Sequence, residues 1–220
     1  MKIVNFDIND FNEKKTAKYG NIGNGMLYTL CKKYPNHNNP DEIQAKIWLI
    51  GRSYAASIER RTNKKHINDD FYDYVVKEFI KFNETKEFDN KLKVLKGQKF
   101  SEKNLKKILK LHKYLTEFFY KLTGKEKRSL ASKYLHFHVP IFPIYDSRAN
   151  NSINNIVKGK TQKEEGDKNY SIFCHKFLFL YNFIKRKNGK PPTLREIDTY
   201  LIESANDRMR KKGKEGEEEK

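Results

Sequence analysis

Cysteine and long apolar runs are scarce in this sequence, and their scarcity excludes several classes of protein. The chain of 220 residues contains two cysteines, Cys31 and Cys174, which lie far apart and in unrelated contexts. We therefore expect neither a disulfide framework nor a thiolate metal site. No apolar stretch approaches the roughly 18 residues that a membrane-spanning helix needs, so we expect no membrane span. Asp7 and Asp10 stand where a signal peptide would need an apolar core, which predicts a cytoplasmic protein.

Acidic residues are also few relative to basic ones. The chain carries 46 lysines and arginines against 28 aspartates and glutamates, which gives a formal net charge of +18. A protein with this much positive charge repels itself unless a polyanion neutralises it, so nucleic acid is the first partner to expect. The chain is also rich in asparagine and isoleucine, as an AT-rich genome would produce, and part of the lysine excess is therefore compositional.

Segments with the two-residue alternation of a β-strand are almost absent, whereas apolar residues recur at helical spacing along the chain. The clearest helix covers residues 101–122, and its apolar stripe consists of Leu105, Ile108, Leu109, Leu115, Phe119 and Leu122. Other helices are predicted over residues 41–62, 69–84, 170–186 and 188–206. The expected fold class is all-α, as a single monomeric domain over residues 1–205, with two lobes and a cleft as the alternative. Residues 206–220 form a charge block without core residues, which predicts a disordered tail.

The stretch SLASKYLHFHVPIFPIYDSRA, residues 129–149, combines a helix, an apolar loop and the start of a second helix. On the first helix, the face opposite the apolar one is small and polar, and it carries Ser129, Ser132, Lys133 and His136. The loop is too apolar to be exposed, so we expect it to be packed into the core. It would then set Asp146 at the N-terminus of the next helix, where a carboxylate caps backbone N–H groups.

The order of these elements resembles the helix-hairpin-helix DNA glycosylases, most closely the compact group with the 8-oxoguanine glycosylase fold. The resemblance rests on the helix EKNLKKILKLHKYLTEFFYKL, the turn TGKEK, the helix RSLASKYLHF and the loop FPIYD, and it covers about 50 residues. The usual hairpin of that family has the pattern L-P-G-x-G, and this chain keeps only Leu122 and Gly124 of it.

The resemblance implies an enzyme that flips a damaged base out of double-stranded DNA and attacks the sugar with a lysine amine, without a metal or cofactor. Lys133 is the favoured nucleophile because of its polar face, and Lys127, which lies 19 positions before Asp146, is the alternative. Asp146 would stabilise the developing sugar cation. The residues expected to contact DNA are Gly124, Lys125, Arg128, Arg148, Arg52 and Arg60, and those expected to line the base pocket are Ser132, His136 and Tyr54.

Each of these residues also has a structural interpretation. An aspartate before a helix is commonly a cap, and Glu59 would pair with a neighbouring arginine and anchor one helix to another. His136 and His138 diverge on a helix, so packing is expected of them rather than metal binding. Two other functions therefore stay open. One is a non-catalytic nucleic-acid-binding protein of the same fold, and the other is an all-helical interaction protein of defence or mobile-element origin.

Overall fold

The protein is all-α, as the sequence predicts. The computed structural model describes residues 1–16, 21–62, 70–161 and 166–218, and within these ranges it contains ten helices and one small sheet. The helices are α1 (Ile8–Lys14), α2 (Asn21–Lys33), α3 (Pro40–Ser53), α4 (Phe71–Phe82), α5 (Glu87–Leu95), α6 (Glu102–Thr123), α7 (Arg128–His138), α8 (Ser147–Ile156), α9 (Lys168–Asn188) and α10 (Leu194–Glu218). The two strands are β1 (Lys2–Ile3) and β2 (Val157–Lys158). No helix in the described part of the chain has the length and apolar character needed to cross a bilayer.

The chain divides into two compact units. Unit 1 comprises Met1–Tyr19, Pro143–Glu164 and Lys168–Lys220, and unit 2 comprises Gly20–Phe142 and Glu165–Asp167. Unit 2 therefore contains α2 to α7, whereas unit 1 is built from α1, α8, α9, α10 and the two strands. The sequence predicted one domain over residues 1–205 with two lobes as the alternative.

The core of unit 2 forms where α6 packs against α4, α5 and α7. The predicted stripe of α6 is buried along its whole length, from Leu105 to Leu122. Aromatic rings fill the space on one side of it: the Phe118 ring lies 4.2 Å from that of Phe82 and 5.1 Å from that of Phe79, measured between centroids. Burial of an apolar side chain of this size contributes roughly 1.5–3 kcal/mol, so this stripe fixes α6 as the central helix of the unit.

The core of unit 1 forms around α8, α9 and α10. The helix predicted over residues 170–186 is present as α9, and it buries Phe173, Cys174, Phe177, Leu180 and Ile184. The N-terminal strand pairs antiparallel with β2, with Ile3 opposite Val157. A capping box begins α10, since the Glu196 N–H donates to Thr193 Oγ1 at 3.1 Å and the Thr193 N–H donates to Glu196 Oε2 at 2.6 Å.

The predicted end of one helix is wrong, and one stretch with the composition of a turn is helical. The helix predicted over residues 41–62 ends at Ser53, because the chain then turns back so closely that a Cβ on Gly51 would lie 2.9 Å from the Cα of Ser57. Ala55 takes a left-handed φ of 48° in this turn. Residues 19–25 are rich in glycine and asparagine, a composition typical of a turn, yet the chain is helical from Asn21 onwards. Residues 19 and 20 lie outside the described residues.

The C-terminal boundary also differs from the expected one. A disordered tail was predicted from residue 206, but α10 continues through Glu218. The first residues beyond 205 have partners in unit 1: Asn206 accepts a hydrogen bond from Arg148, and Arg208 donates one to Ser152. Asp207 forms an ion pair with Lys14. These polar contacts hold a segment that has few apolar residues, so the hydropathy pattern did not indicate them.

Candidate functional site

The turn between α6 and α7 is held by one glycine and one threonine. Gly124 ends α6 with a left-handed φ of 65°, and its N–H donates to the carbonyl of Tyr120 at 2.8 Å. The hydroxyl of Thr123 donates to the Phe119 carbonyl at 2.8 Å and accepts from the Lys125 N–H at 3.3 Å. A left-handed conformation is one that glycine adopts without strain, so the turn is compact although it lacks the second glycine and the proline of the usual hairpin.

Lys127 lies directly after this turn, at the N-cap of α7. The residue is 8% exposed, and its ammonium group donates to the backbone carbonyl of Arg60. Burial lowers the pKa of Lys127 to about 8; Glu59 opposes this effect, whereas the positive charges of Arg61 and Lys125 add to it. A lysine amine with a lowered pKa is the usual state of a nucleophilic lysine.

Lys133 lies farther along α7, on the polar face that the sequence predicts. It is 3% exposed, and its ammonium group donates to Ser129 Oγ at 2.9 Å and to the Tyr54 carbonyl at 3.4 Å. The ammonium nitrogen also lies 5.4 Å from the centroid of the Tyr54 ring. The ammonium group is thus enclosed by two oxygens and an aromatic face.

Residues 54–62, which we call the 54–62 segment, provide the carbonyl groups that both lysines contact. Glu59 holds this segment: it pairs with Arg52 at 2.5 Å and accepts a hydrogen bond from the Tyr72 hydroxyl at 2.6 Å. Arg60 donates to the carbonyl of Ala55 at 2.8 Å. The structural interpretation of Glu59 therefore agrees with the geometry, because from the 54–62 segment it contacts Arg52 of α3 and Tyr72 of α4.

The residues predicted to line a base pocket are mostly enclosed. Ser132 is fully buried and donates to the Ser129 carbonyl at 3.0 Å. His136 is 1% exposed; its Nδ1–H donates to the Phe142 carbonyl at 2.8 Å, so its Nε2 accepts from the Tyr28 hydroxyl at 2.5 Å. Tyr54 is half-buried and its hydroxyl donates to Asn24. Both ring nitrogens of His136 are engaged by neighbouring groups, so the residue has a packing role in this arrangement.

The cationic residues predicted to contact DNA differ in whether a carboxylate already pairs with them. Arg128 pairs with Glu126 and Asp167, both at 2.6 Å, so two carboxylates already neutralise it. Arg52 pairs with Glu59, while the side chains of Arg60 and Lys125 are exposed on unit 2. Arg60 and Lys125 are therefore the residues of this set that are best placed to reach a phosphate.

Asp146 and Arg148 belong to unit 1. Asp146 caps α8, and its Oδ1 accepts the Ala149 N–H at 2.8 Å, as the sequence predicts. Arg148 is exposed and donates to Asn206 at 3.3 Å. The predicted apolar loop before Asp146 is buried: Ile141 and Phe142 lie in unit 2 and Ile144 in unit 1. The prediction that Asp146 acts together with a lysine joins residues of the two units and stays a prediction.

Sequence reasoning missed a second polar cluster in unit 2. The Nδ1–H of His37 donates to Asp89 Oδ1 at 2.6 Å, and its Nε2 accepts from the Tyr134 hydroxyl at 2.7 Å. Burial lowers the pKa of His37 to about 4. Burial alone would raise the pKa of Asp89, but hydrogen bonds from His37 and Asn83 hold it below its ordinary value. All three members of this Asp–His–Tyr chain are at most 5% exposed, so no substrate reaches it and its role is structural.

The described residues contain no group of three or more histidines, cysteines or carboxylates placed to hold a metal ion. Both cysteines are buried thiols, and burial raises the pKa of Cys31 to about 12. Searches against protein-family models, curated proteins and solved structures found no match to this chain. The site is therefore interpreted from its own geometry and chemistry.

Proposed function

We propose that this protein binds DNA and excises a damaged base as a glycosylase, with Lys127 at the start of α7 as the nucleophile. The observation that carries the proposal is a lysine amine buried at the start of the second helix of a helix–turn–helix, with its pKa lowered to about 8. At pH 7 about one-tenth of such amines are neutral, against roughly one in three thousand for a lysine with the ordinary pKa. Perturbed titration of this kind is concentrated at functional sites.

The chemistry follows from the neutral amine. Its lone pair attacks C1′ of the damaged nucleotide, and the bond from C1′ to the base breaks, so that the base leaves with the electron pair and takes up a proton. Opening of the sugar ring then gives a protonated Schiff base between the lysine and C1′. Water hydrolyses this intermediate, which releases the lysine and leaves an abasic site.

The surroundings of Lys127 supply the other requirements of such an enzyme. The exposed side chains of Lys125 and Arg60 lie in the turn and in the segment that the lysine contacts, where cations can hold backbone phosphates. The net charge of +18 supplies the long-range attraction to DNA. By the family resemblance, Asp146 would stabilise the sugar cation, and its carboxylate is held in place as the cap of α8.

Borohydride trapping tests the proposal. The full-length protein is incubated with duplex DNA that carries 8-oxoguanine or an abasic site, and the Schiff base is reduced to a stable covalent adduct. We expect an adduct with the wild-type protein, and a loss of at least a hundredfold in Lys127→Arg, because a guanidinium cannot form a Schiff base. Lys121→Arg, which changes an exposed lysine at the end of α6, is the matched control and should retain the adduct.

Further variants test whether Lys127 is the nucleophile and whether Asp146 takes part. An adduct that persists in Lys127→Arg but is lost in Lys133→Arg would overturn Lys127 and assign the nucleophile to Lys133. Loss of the adduct counts only if the variant keeps the wild-type melting temperature, which circular dichroism reports. Asp146→Asn should lower the rate of adduct formation without weakening DNA binding. If no lesion gives an adduct or a released base, the protein is not a glycosylase of this type.

Non-catalytic binding of nucleic acid is the second candidate function, and one observation favours it. The ammonium groups of both lysines donate to backbone carbonyls of the 54–62 segment, as structural lysines do. This function predicts DNA binding whose affinity falls steeply with salt, because released counterions drive the association. It also predicts neither an adduct nor a released base.

A further inference from the structure

Unit 2 has an apolar groove on its surface that takes no part in the proposed reaction. The groove runs between α5 and the middle of α6, and its volume is about 300 Å³. Its apolar lining consists of Val94, Leu95, Leu111 and Tyr114, and we call it the α5–α6 groove. None of these residues belongs to the site around Lys127.

The two helices that form the groove run in opposite directions. The chain passes from Leu95 to Glu102 through a short loop, and the Tyr114 hydroxyl donates to Glu87 at 3.1 Å, so the start of α5 lies beside the middle of α6. The part of α5 between Glu87 and Val94 follows the groove, which is therefore about 10 Å long at a rise of roughly 1.5 Å per residue. A groove of this length accommodates two turns of a third helix.

Val94 is the apolar residue of the groove that solvent reaches most. Leu95 and Leu111 form the floor and are each 2% exposed, whereas Val94 is 56% exposed. A second depression of about 440 Å³ lies beside the groove, and Val94 lines it together with Thr85 and Asn90. Covering an exposed valine removes apolar surface from water and is favourable, so a partner that lies along the groove gains hydrophobic free energy at Val94.

The charged residues around the groove are mostly lysines. Lys91, Lys107 and Lys110 line it, against Glu87 as the one carboxylate of its lining. Glu87 is already paired with Lys91 at 2.9 Å, whereas Lys107 makes no ion pair with any residue that the structure describes. Between positions 86 and 113 the exposed charged residues are ten lysines and two glutamates. The rim of the groove therefore carries an excess of positive charge.

We propose that the α5–α6 groove binds an acidic amphipathic helix of a partner protein. Apolar side chains at positions i, i+4 and i+7 of that helix cover Val94 and contact the floor of the groove. Acidic side chains beside this stripe pair with Lys107 and Lys110, so the charges of the two surfaces are complementary. The inference uses residues of unit 2 outside the site of Lys127, and it does not depend on the reaction proposed there.

The lining of the groove favours a peptide over a nucleic acid. Single strands bind by stacking their bases on open aromatic faces. The Tyr114 ring lies 4.6 Å from the ring of Phe82, measured between centroids, and 5.6 Å from the ammonium group of Lys91, so neighbouring side chains already pack against it. A duplex is held through its phosphates and gains nothing from the leucine floor, whereas an amphipathic helix uses both the floor and the lysines.

Fluorescence anisotropy with the full-length protein and a labelled synthetic peptide tests the proposal. The probe is an amphipathic helix with leucine at i, i+4 and i+7, glutamate at the positions beside this stripe and alanine elsewhere. One control peptide has lysine in place of glutamate, and another has the residues of the probe in shuffled order. We expect the probe to bind at least roughly tenfold more tightly than either control, because only the probe matches both the apolar floor and the charged rim.

Two variants, each with a matched control, locate the binding surface. Val94→Gln removes the exposed apolar side chain and keeps a good helix former, and Lys107→Glu reverses one charge of the rim. Each should weaken binding of the probe roughly tenfold. Tyr120→Gln removes a 54% exposed apolar residue of α6 outside the groove, and Lys32→Glu reverses an exposed lysine of α2; both should bind the probe as the wild type does. Val94 and Lys107 are exposed, so we expect both variants to keep the wild-type melting temperature.

Three results would overturn the proposal. The first is wild-type affinity for the probe in both Val94→Gln and Lys107→Glu. The second is the absence of binding at roughly 1 mM peptide, or equal binding of the probe and its lysine counterpart. The third comes from duplex DNA as a further probe: if Lys107→Glu weakens duplex binding tenfold and peptide binding little, the lysines form a nucleic-acid surface and not a site for an acidic helix.

Discussion

At the scale of single residues, the surroundings of a lysine decide whether it can react. Lys127 and Lys133 are both buried on the first helix after the α6–α7 turn, yet their contacts differ. Lys133 has an aromatic face and two oxygens around its ammonium group. Lys127 donates to the backbone carbonyl of Arg60, and burial lowers its pKa to about 8, which favours the neutral amine that a nucleophile needs.

This difference predicts the pH dependence of adduct formation. The neutral fraction of Lys127 rises tenfold per pH unit below its pKa, so the initial rate of borohydride trapping should increase from pH 6 and level off above about 8. An ordinary lysine would give a rate that still rises at pH 9. The measurement is the rate of adduct formation on abasic DNA at constant ionic strength, and a profile without a plateau near pH 8 would contradict the assignment.

Gly124 and Gly25 differ in backbone conformation, so replacing each of them by alanine tests whether the α6–α7 turn requires glycine. Gly124→Ala places a side chain at a left-handed φ of 65° and should lower the free energy of unfolding by about 1 kcal/mol. Gly25→Ala lies inside α2, with no atom within 4 Å of the added Cβ, and should raise it by about 0.5–1 kcal/mol. Urea denaturation measures both values. Equal effects of the two variants would show that the turn does not require glycine.

At the scale of secondary-structure elements, the end of α3 sets the position of the 54–62 segment. The chain returns on itself at Gly51, and the Ala56 N–H donates to the Gly51 carbonyl at 2.8 Å. This return places the carbonyl groups of Tyr54 and Arg60 where Lys133 and Lys127 reach them. A continuous helix over residues 41–62 would have used the Tyr54 carbonyl in its own hydrogen bonds.

Gly51→Ala tests this arrangement. The added Cβ would lie 2.9 Å from the Cα of Ser57, and because that atom is backbone, the segment must move. We expect a loss of roughly 1–3 kcal/mol in the free energy of unfolding, as for other overpacked sites. We also expect faster exchange of the amide hydrogens in residues 54–62 than in α6. Unchanged stability would mean that the close approach at Gly51 is not a constraint.

The elements that the sequence indicates well are those with a simple apolar period. The stripe of α6 and the helix α9 were predicted because apolar residues recur in each over several turns. Asp146 was recognisable as a cap because a single aspartate follows an apolar loop and precedes a helix. The partners of the two lysines were not predictable, since the 54–62 segment shows helical spacing and leaves its helix only because of a contact at Gly51.

Contacts between residues that are far apart in the sequence were also not predictable. His37 lies in a segment rich in asparagine and proline that is typical of a linker, and its partner Asp89 is 52 positions away. No local pattern connects them. Similarly, the residues beyond 205 have almost no apolar side chains, and their contacts with Lys14, Arg148 and Ser152 are polar. Periodicity carries no information about such pairs.

At the scale of the whole molecule, buried neutral histidines couple stability to acidity. The pKa of His37 is about 4 in the folded protein and about 6.5 when the chain is unfolded. Between these values the unfolded state binds a proton that the folded state does not, so stability falls as the pH falls. Burial lowers the pKa of His112 as well, and both histidines belong to unit 2.

We therefore expect the free energy of unfolding to decrease between pH 6.5 and pH 4, by on the order of 3 kcal/mol from His37 alone. Urea denaturation at a series of pH values measures this loss. A titration of the imidazole signals by NMR identifies the groups responsible, because His37 and His112 should remain neutral at pH 6. A His37 signal that titrates near pH 6.5 would contradict the explanation.

The order of the two units along the chain has a consequence for synthesis on the ribosome. Nearly all of unit 2 is one continuous run, Gly20–Phe142, so it can fold while the rest of the protein is still being translated. The residues that precede unit 2 must wait, since β1 has no partner strand until Val157 and Lys158 emerge, and α1 packs against α10, which follows unit 2 in the chain. These residues are thus made before unit 2 and reach their native place after it.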